Sequence, residues 1–346
     1  MNLKNNRGSN PTVAVFGAAG HTGRFVVSEL LRRGIIPIAI VRNSAVLAGA
    51  DLSSPQILHR QATVDHEESL DKALAGAHAV INCAGPFLET ADAVTAAAIR
   101  AGIHYLDLSA EQPSTLAVLD KYDRAARNAG IAVVPAMGFF GGFADLLVTA
   151  ALDDWDRADT IDTMIGLDSW HPTHGTRMTG KTNTTRRQVI AEGQLVPVTL
   201  PPVERSWEFA DPLGSQAMVE VPFSEIVLIA RHVRTAELHT YLNRIALGDV
   251  RNPETPAPKA ADARGRSAQR FIVDVVATCG GMTRRIRAQG RDIYAFSAPL
   301  ICAVTVRLLE GKFDRAGAQP PAAMLNAREI LSELTPEHLT LEFTRT

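Results

Sequence analysis

Thr12-Val13-Ala14-Val15-Phe16-Gly17-Ala18-Ala19-Gly20-His21-Thr22-Gly23 is the stretch on which the fold turns. A β-branched apolar run leads directly into a GxxGxxG loop, and a segment with Phe25, Val26, Leu30 and Leu31 at helical spacing follows. Strand, glycine loop and helix in this order suit a dinucleotide pyrophosphate. Gly17 permits the tight turn, Gly20 lets backbone approach the anion, Gly23 lets the helix lie close to the strand, and the helix N–H groups aim at phosphate. The competing reading is a tight structural turn with no ligand.

Outward from this loop the same rhythm repeats. Apolar runs at Thr12–Phe16, Ile35–Val41, Ile57–Thr63, Ala79–Cys83, Ile103–Leu108 and Ile131–Val134 alternate with helix-like segments. Gly34, Gly76, Gly102 and Gly130 close those segments, where a left-handed C-terminal residue is easiest without a Cβ. The alternation predicts a doubly wound parallel α/β sheet. Ile35 to Val41 is apolar almost throughout, as expected of a strand covered on both faces, although Pro37 must sit where no N–H is needed.

The second run ends in Val41-Arg42-Asn43 with no acidic residue for ribose hydroxyls. A guanidinium there can take a 2′-phosphate, so NADP(H) is expected in preference to NAD(H); a solvated surface arginine is the alternative. Asp65 can hold the adenine amine or cap the helix at Glu67. Cys83, Ala84, Gly85, Pro86 and Phe87 form a small, proline-fixed turn that lets backbone pass under a bound ribose or nicotinamide, with Cys83 read as packing and not as a nucleophile.

Gly17-Ala18-Ala19-Gly20-His21-Thr22-Gly23-Arg24, Asn82 to Phe87, Ala101 to Glu111 and Val134 to Phe139, taken together, resemble the saccharopine dehydrogenase-like NAD(P)-binding oxidoreductases, a group with saccharopine reductases and trans-acting enoyl reductases. The likeness covers roughly residues 11 to 150. Arg231-His232, Gly290 to Tyr294 and Ala298 to Leu300 look like later landmarks of that group. It implies a Rossmann domain, a second mixed α/β substrate domain, and C-terminal helices that return to the Rossmann domain. Two departures are His21, at a position more often aromatic or apolar, and Val41, where glycine often precedes the arginine.

The expected organisation is a disordered leader over residues 1–10, an NADP-binding domain over 11–150, a substrate and dimerisation domain over 151–295 and a C-terminal helical segment over 296–346. At 346 residues and 46% hydrophobic content the chain is too long for one core. Asp153-Asp154-Trp155-Asp156 marks the change of composition, and all three tryptophans, Trp155, Trp170 and Trp207, lie beyond the first domain.

A net charge of −2 gives no excess positive field for nucleic acid or an anionic membrane. No apolar run is long enough to span a bilayer. Cys83, Cys279 and Cys302 lack metal spacing, which suits reduced thiols in a cytoplasmic protein with no metal.

Trp170 to Thr182 carries two histidines, an arginine and a lysine among hydroxyls. It reads as a substrate loop or as a polar hairpin. In the first reading His174 protonates the atom left after hydride addition, and Arg177 or Lys181 holds a carboxylate or phosphate. Asp107 and Glu111 lie at the ligand edge of the sheet, where each can orient a substrate amine or satisfy local backbone.

The candidate catalytic residues are therefore Asp107, His174 and Lys181. The candidate cofactor contacts are Gly17, Ala19, Gly20, His21, Thr22, Gly23, Arg42, Asn43, Asp65, Cys83 to Phe87, Ser109, Met137 and Gly138. Asn252 to Gly265 reads as a loop or lid, Phe271–Thr278 as a strand and Ser297 to Leu309 as a helix that packs on the first domain or on a second copy, leaving a homodimer open. The expected function is hydride transfer to or from a small organic imine, carbonyl or activated alkene; a non-catalytic NADP(H) sensor and an accessory reductase subunit of a synthase are the rivals.

Overall fold

The computed structural model describes residues 10–43 and 52–345; nearly all of the expected leader lies outside them. The first half alternates as its sequence predicts: β1 Thr12–Phe16, α1 His21–Arg32, β2 Ile36–Val41, β3 Leu58–Gln61, α2 Glu67–Leu74, β4 Ala79–Asn82, α3 Phe87–Ala101, β5 His104–Asp107, α4 Gln112–Ala129 and β6 Ala132–Val134. Gly102 and Gly130 end α3 and α4 in the left-handed conformation at φ 66° and 68°. Pro37 is tolerated because the Ile36 N–H points to β1, so position 37 faces the β3 side, where pairing starts only at Ile38 opposite Leu58.

The remainder runs α5 Ala144–Leu152, β7 Arg157–Leu167, α6 His174–Thr182, β8 Gln188–Ala191, β9 Gln194–Pro197, β10 Glu204–Glu208, β11 Ser215–Glu220, α7 Ser224–Ile229, β12 Arg234–Asn243, α8 Arg244–Arg251, β13 Arg270–Cys279, β14 Met282–Arg291, α9 Ile293–Leu309, β15 Gly317–Ala318, α10 Ala327–Leu334 and β16 Leu339–Arg345. The first sheet has the order β15-β6-β5-β4-β1-β2-β3, and its strands pair in parallel. The second has the order β10-β11-β12-β7-β13-β14-β16 with the β8–β9 hairpin attached to β12, and it is mixed.

The C-terminal segment is thus not wholly helical. α9 packs along α1 as expected of a returning helix, but β15 extends the first sheet and β16 pairs along β14 in the second. The stretch around residue 174, read as a substrate loop or as a polar hairpin, is instead helical, forming α6, because the Thr173 side chain accepts the Thr176 N–H at 3.1 Å and caps a helix.

One apolar core joins the layers. Val13, Val15 and Val134 from the first sheet, Leu300, Ile301 and Val304 from α9, and Ile161, Val273 and Ile286 from the second sheet belong to a single buried cluster. Full burial of each such side chain contributes about 1.5–3 kcal/mol, so α9 holds the two sheets in a fixed relation.

His104, at the start of β5, accepts the Ala132 N–H on Nδ1 at 3.0 Å, and burial lowers its pKa to about 4. The folded state therefore binds the proton less well than the unfolded chain, and stability is lost as pH falls from 6.5 toward 4. Between pH 7 and pH 5 the wild type should lose about 2 kcal/mol more than His104→Asn, measured by denaturant unfolding at each pH.

A cleft between two sheet edges as the candidate active site

The strand order reverses between β1 and β4, and in open α/β sheets the crevice at such a switch point, beyond the carboxyl ends of the strands, is where ligands bind. The loops 17–20, 83–86, 108–111 and 135–138 all leave that edge. β7 and β12 are parallel, and β13 and β14 are antiparallel neighbours, so Leu167, Asn243, Arg270 and Arg291 share one edge of the second sheet. The two edges meet over a cleft of about 690 Å³.

At its floor the Gly17 N–H donates to Ile40 O (3.1 Å) and the Gly20 N–H to Gly17 O (3.0 Å), with Gly17 at φ +81°. A Cβ on Gly17 would meet Ala84 Cβ at 2.9 Å, and one on Gly23 would meet Gly17 O at 2.3 Å. α1 begins with no side-chain cap and no acidic residue in its first turn, and the first N–H bonded back along the helix is that of Arg24. The N–H groups of His21, Thr22 and Gly23 therefore face the cleft end unspent. At Gly20 a Cβ would meet only Gly17 O, at 3.1 Å, and would otherwise fill the space before the helix. This glycine-lined, uncapped terminus fits a dinucleotide pyrophosphate.

The other candidate cofactor contacts fall into distinct environments. Ala19 lies on the loop. Thr22, Cys83, Gly85, Phe87 and Gly138 line the cleft. Ala84 packs under Gly17 and gives its N–H to Asn82 Oδ1 (3.0 Å), and Pro86 opens α3. Burial raises the Cys83 thiol well above its usual range, so it stays a thiol.

Arg42 is exposed at the end of β2 beside Asn43, and its guanidinium makes no hydrogen bond or ion pair among the described residues. Asp65 is exposed; it does not cap α2, whose first turn is capped instead by His66, Nδ1 accepting the Ser69 N–H at 3.2 Å. Ser109 and Met137 are buried and spent on structure: the Ser109 N–H goes to Asp107, and Met137 Sδ would lie 2.8 Å from a Cβ on Gly142. His21 is held neutral by burial and lies edge-on to Phe25 and Tyr294, at 5.4 Å from each ring.

The candidate catalytic residues are not brought together. Asp107 is fully buried behind the wall: its carboxylate accepts the Tyr105 hydroxyl (2.8 Å), the Ser109 N–H (2.8 Å) and the Ala136 N–H (2.7 Å), tying the β5 and β6 loops to one anchor. His174 is exposed on the first turn of α6 and is not among the lining residues. Lys181 is exposed at the rim. Glu111 does line the cleft, yet its carboxylate accepts Phe87 N–H (2.8 Å) and Leu88 N–H (3.3 Å), capping α3 from outside that helix. Arg177 reaches the carbonyls of Asn252 and Thr255, pinning the expected lid loop.

Sequence reasoning missed what stands in their place. Tyr294, at the start of α9, accepts the Trp170 Nε1–H (2.9 Å) and the Thr173 N–H (3.4 Å), so its own proton is left for Thr176 Oγ1 at 2.9 Å. All but Thr173's backbone face the same cleft as lining side chains. Burial raises the Tyr294 pKa while these donors pull it the other way. Arg187, in a polar stretch with no distinguishing pattern, enters the cleft over the Phe223 ring at 4.6 Å and gives one hydrogen bond, to Pro222 O (2.6 Å). Of the three tryptophans only Trp170 reaches the cleft; Trp207 binds Asp274 on the outer face of the second sheet, and Trp155 packs under Arg284.

Residues 13–134 match the family model described as the saccharopine dehydrogenase NADP binding domain. A "Lipid droplet localized protein" of Caenorhabditis elegans is 30% identical over 148 residues, which cover 39% of this chain and 34% of that protein. The "Saccharopine dehydrogenase-like oxidoreductase" of Homo sapiens is 29% identical over 153 residues, covering 39% of this chain and 35% of that one. These matches thus span about a third of the length of the relatives. The apo structure of saccharopine dehydrogenase (L-Glu forming) from Saccharomyces cerevisiae superposes with a TM-score of 0.68 at 14% identity, covering 97% of this chain and 100% of that one, which establishes a shared fold.

Proposed function

We propose that the whole chain is an NADP(H)-dependent oxidoreductase, a reading supported by the match of residues 13–134 to the model of the saccharopine dehydrogenase NADP binding domain. Its substrate is a small organic molecule reduced or oxidised at a C=N, C=O or activated C=C bond. The observation that carries this reading is the meeting of the uncapped α1 terminus with a 690 Å³ cleft closed by the second sheet. Gly17, Ala19, Gly20 and the N–H groups of His21, Thr22 and Gly23 hold the pyrophosphate, and Arg42 with Asn43 meets the 2′-phosphate. Cys83, Gly85, Phe87 and Gly138 bound the nicotinamide end. When bound, the nicotinamide supplies or accepts the hydride.

The chain's own task is to exclude water and to place a proton. Aromatic and aliphatic side chains from both edges enclose the cleft. In the reductive direction Thr176 Oγ1 turns its proton to the substrate atom that gains negative charge and takes the Tyr294 proton in exchange. The Trp170 and Thr173 N–H groups stabilise the phenolate left on Tyr294. Tyr294→Phe should therefore lower kcat by ~100-fold or more while NADPH affinity changes by less than about twofold. An equal loss of NADPH affinity would place Tyr294 in cofactor binding instead.

Arg42→Ala should reduce the NADPH to NADH affinity ratio by about tenfold or more, the value of a charge-assisted contact to phosphate. Fluorescence titration of both nucleotides measures it, and an unchanged ratio removes Arg42 from the phosphate site. A cytoplasmic setting belongs to this reading and is supported by the three free cysteines. NADPH binding without turnover on any imine, ketone or enoyl substrate would favour a sensor.

A further inference from the structure

Resting on that oxidoreductase reading, we propose that the substrate is an amphipathic acid, an aryl or acyl body ending in a carboxylate, and that Arg187 binds the carboxylate. Trp170, Phe140 and Phe223 form a continuous ladder along one wall: the Trp170 and Phe140 rings stack at 4.9 Å, and Phe140 meets Phe223 at 4.3 Å. The Arg187 guanidinium caps its end, 4.6 Å from the Phe223 ring. An apolar body gains along such a wall by burying surface and by aromatic contact.

The cap is built to take an anion. Among the described residues only one of the five N–H donors of Arg187 is spent, on Pro222 O. Among the described residues no carboxylate forms an ion pair with it; Glu225, whose charge acts on it, sits buried behind the wall with Oε1 on the Phe223 N–H. A planar fork with free N–H edges matches a carboxylate in two parallel hydrogen bonds. The surroundings agree: Arg177, Lys181, Arg187 and Arg251 line the cleft against Glu111 alone, whereas the chain as a whole carries −2. The positive sign is thus local to the cleft, and Glu111 is already occupied by α3.

Calorimetric titration of the full chain with 4-phenylbutyrate, 4-phenylbutanamide and glutarate tests this. The acid should bind at least tenfold tighter than the amide, which lacks the charge, and tenfold tighter than glutarate, which lacks the apolar body. Arg187→Met should bring acid and amide within about twofold of each other with amide binding unchanged, while Lys181→Met, at the rim, should keep the preference. Equal binding of acid and amide, or of acid and glutarate, by the wild type overturns the proposal, and so does a preference that survives Arg187→Met. The wild-type comparison decides even if Arg187→Met fails to fold. NADPH titration of the same sample separates the two claims: saturable NADPH binding without acid preference sinks the substrate class alone, whereas acid preference without NADPH binding upholds the anion site and sinks the oxidoreductase reading.

Discussion

Gly23→Ala is expected to weaken NADPH binding by at least ~100-fold and to lower the melting temperature. The added Cβ would sit 2.3 Å from Gly17 O and 3.0 Å from Ala18 Cα, both backbone, so either the helix terminus or the turn must move. Displacing the first turn removes two or more N–H contacts to a charged pyrophosphate, each worth about 1.5–3 kcal/mol. Gly20→Ala is the instructive comparison. Its Cβ meets only Gly17 O, at 3.1 Å, so stability should be nearly kept while the cradle is filled. Fluorescence titration with NADPH and thermal unfolding of both variants measure this. Binding that survives both substitutions would separate the glycine loop from the cofactor.

The second large effect belongs to a residue whose position at a strand end suggests catalysis. Asp107→Ala should destabilise the protein by about 3–5 kcal/mol, because it strands the Tyr105 hydroxyl and the N–H groups of Ser109 and Ala136 in a fully buried site. For a chain of this size that is a fall in melting temperature of about 4–7 °C. Asp107 acts by positioning: Ala136 stands at φ 57°, an unfavourable conformation for a side chain with a Cβ, and the Asp107 carboxylate holds it there beside Gly138. Exposed His174 should give the opposite result, with stability and turnover unchanged in His174→Ala. A stable Asp107→Ala protein with kcat alone reduced would return Asp107 to the chemistry.

Much of the first domain was legible because its signals are local. The GxxGxxG turn, the glycines that end α3 and α4 and the apolar strands each follow from backbone sterics within a few residues. β15 was not legible, since Gly317–Ala318 is a two-residue strand created by pairing with β6, over 180 residues earlier in the chain. α6 was misread because its threonines favour strands, and the deciding contact is a single cap from Thr173. In the candidate site, the GxxGxxG turn could be read from sequence, whereas the places of Arg187 and Tyr294 in the cleft follow only from the convergence of β8, α6, α7 and α9. Asp107 shows the converse: the sequence places it at the right edge, but only packing reveals that its carboxylate points away from the cleft into a closed network.

NADPH oxidation by the full chain, followed against a panel of imines, ketones and enoyl acids that carry an apolar body, tests the central claim most directly. The account predicts turnover of at least one member, lost by ~100-fold or more in Tyr294→Phe while that variant still binds NADPH. Saturable NADPH binding with no turnover anywhere on the panel would contradict it.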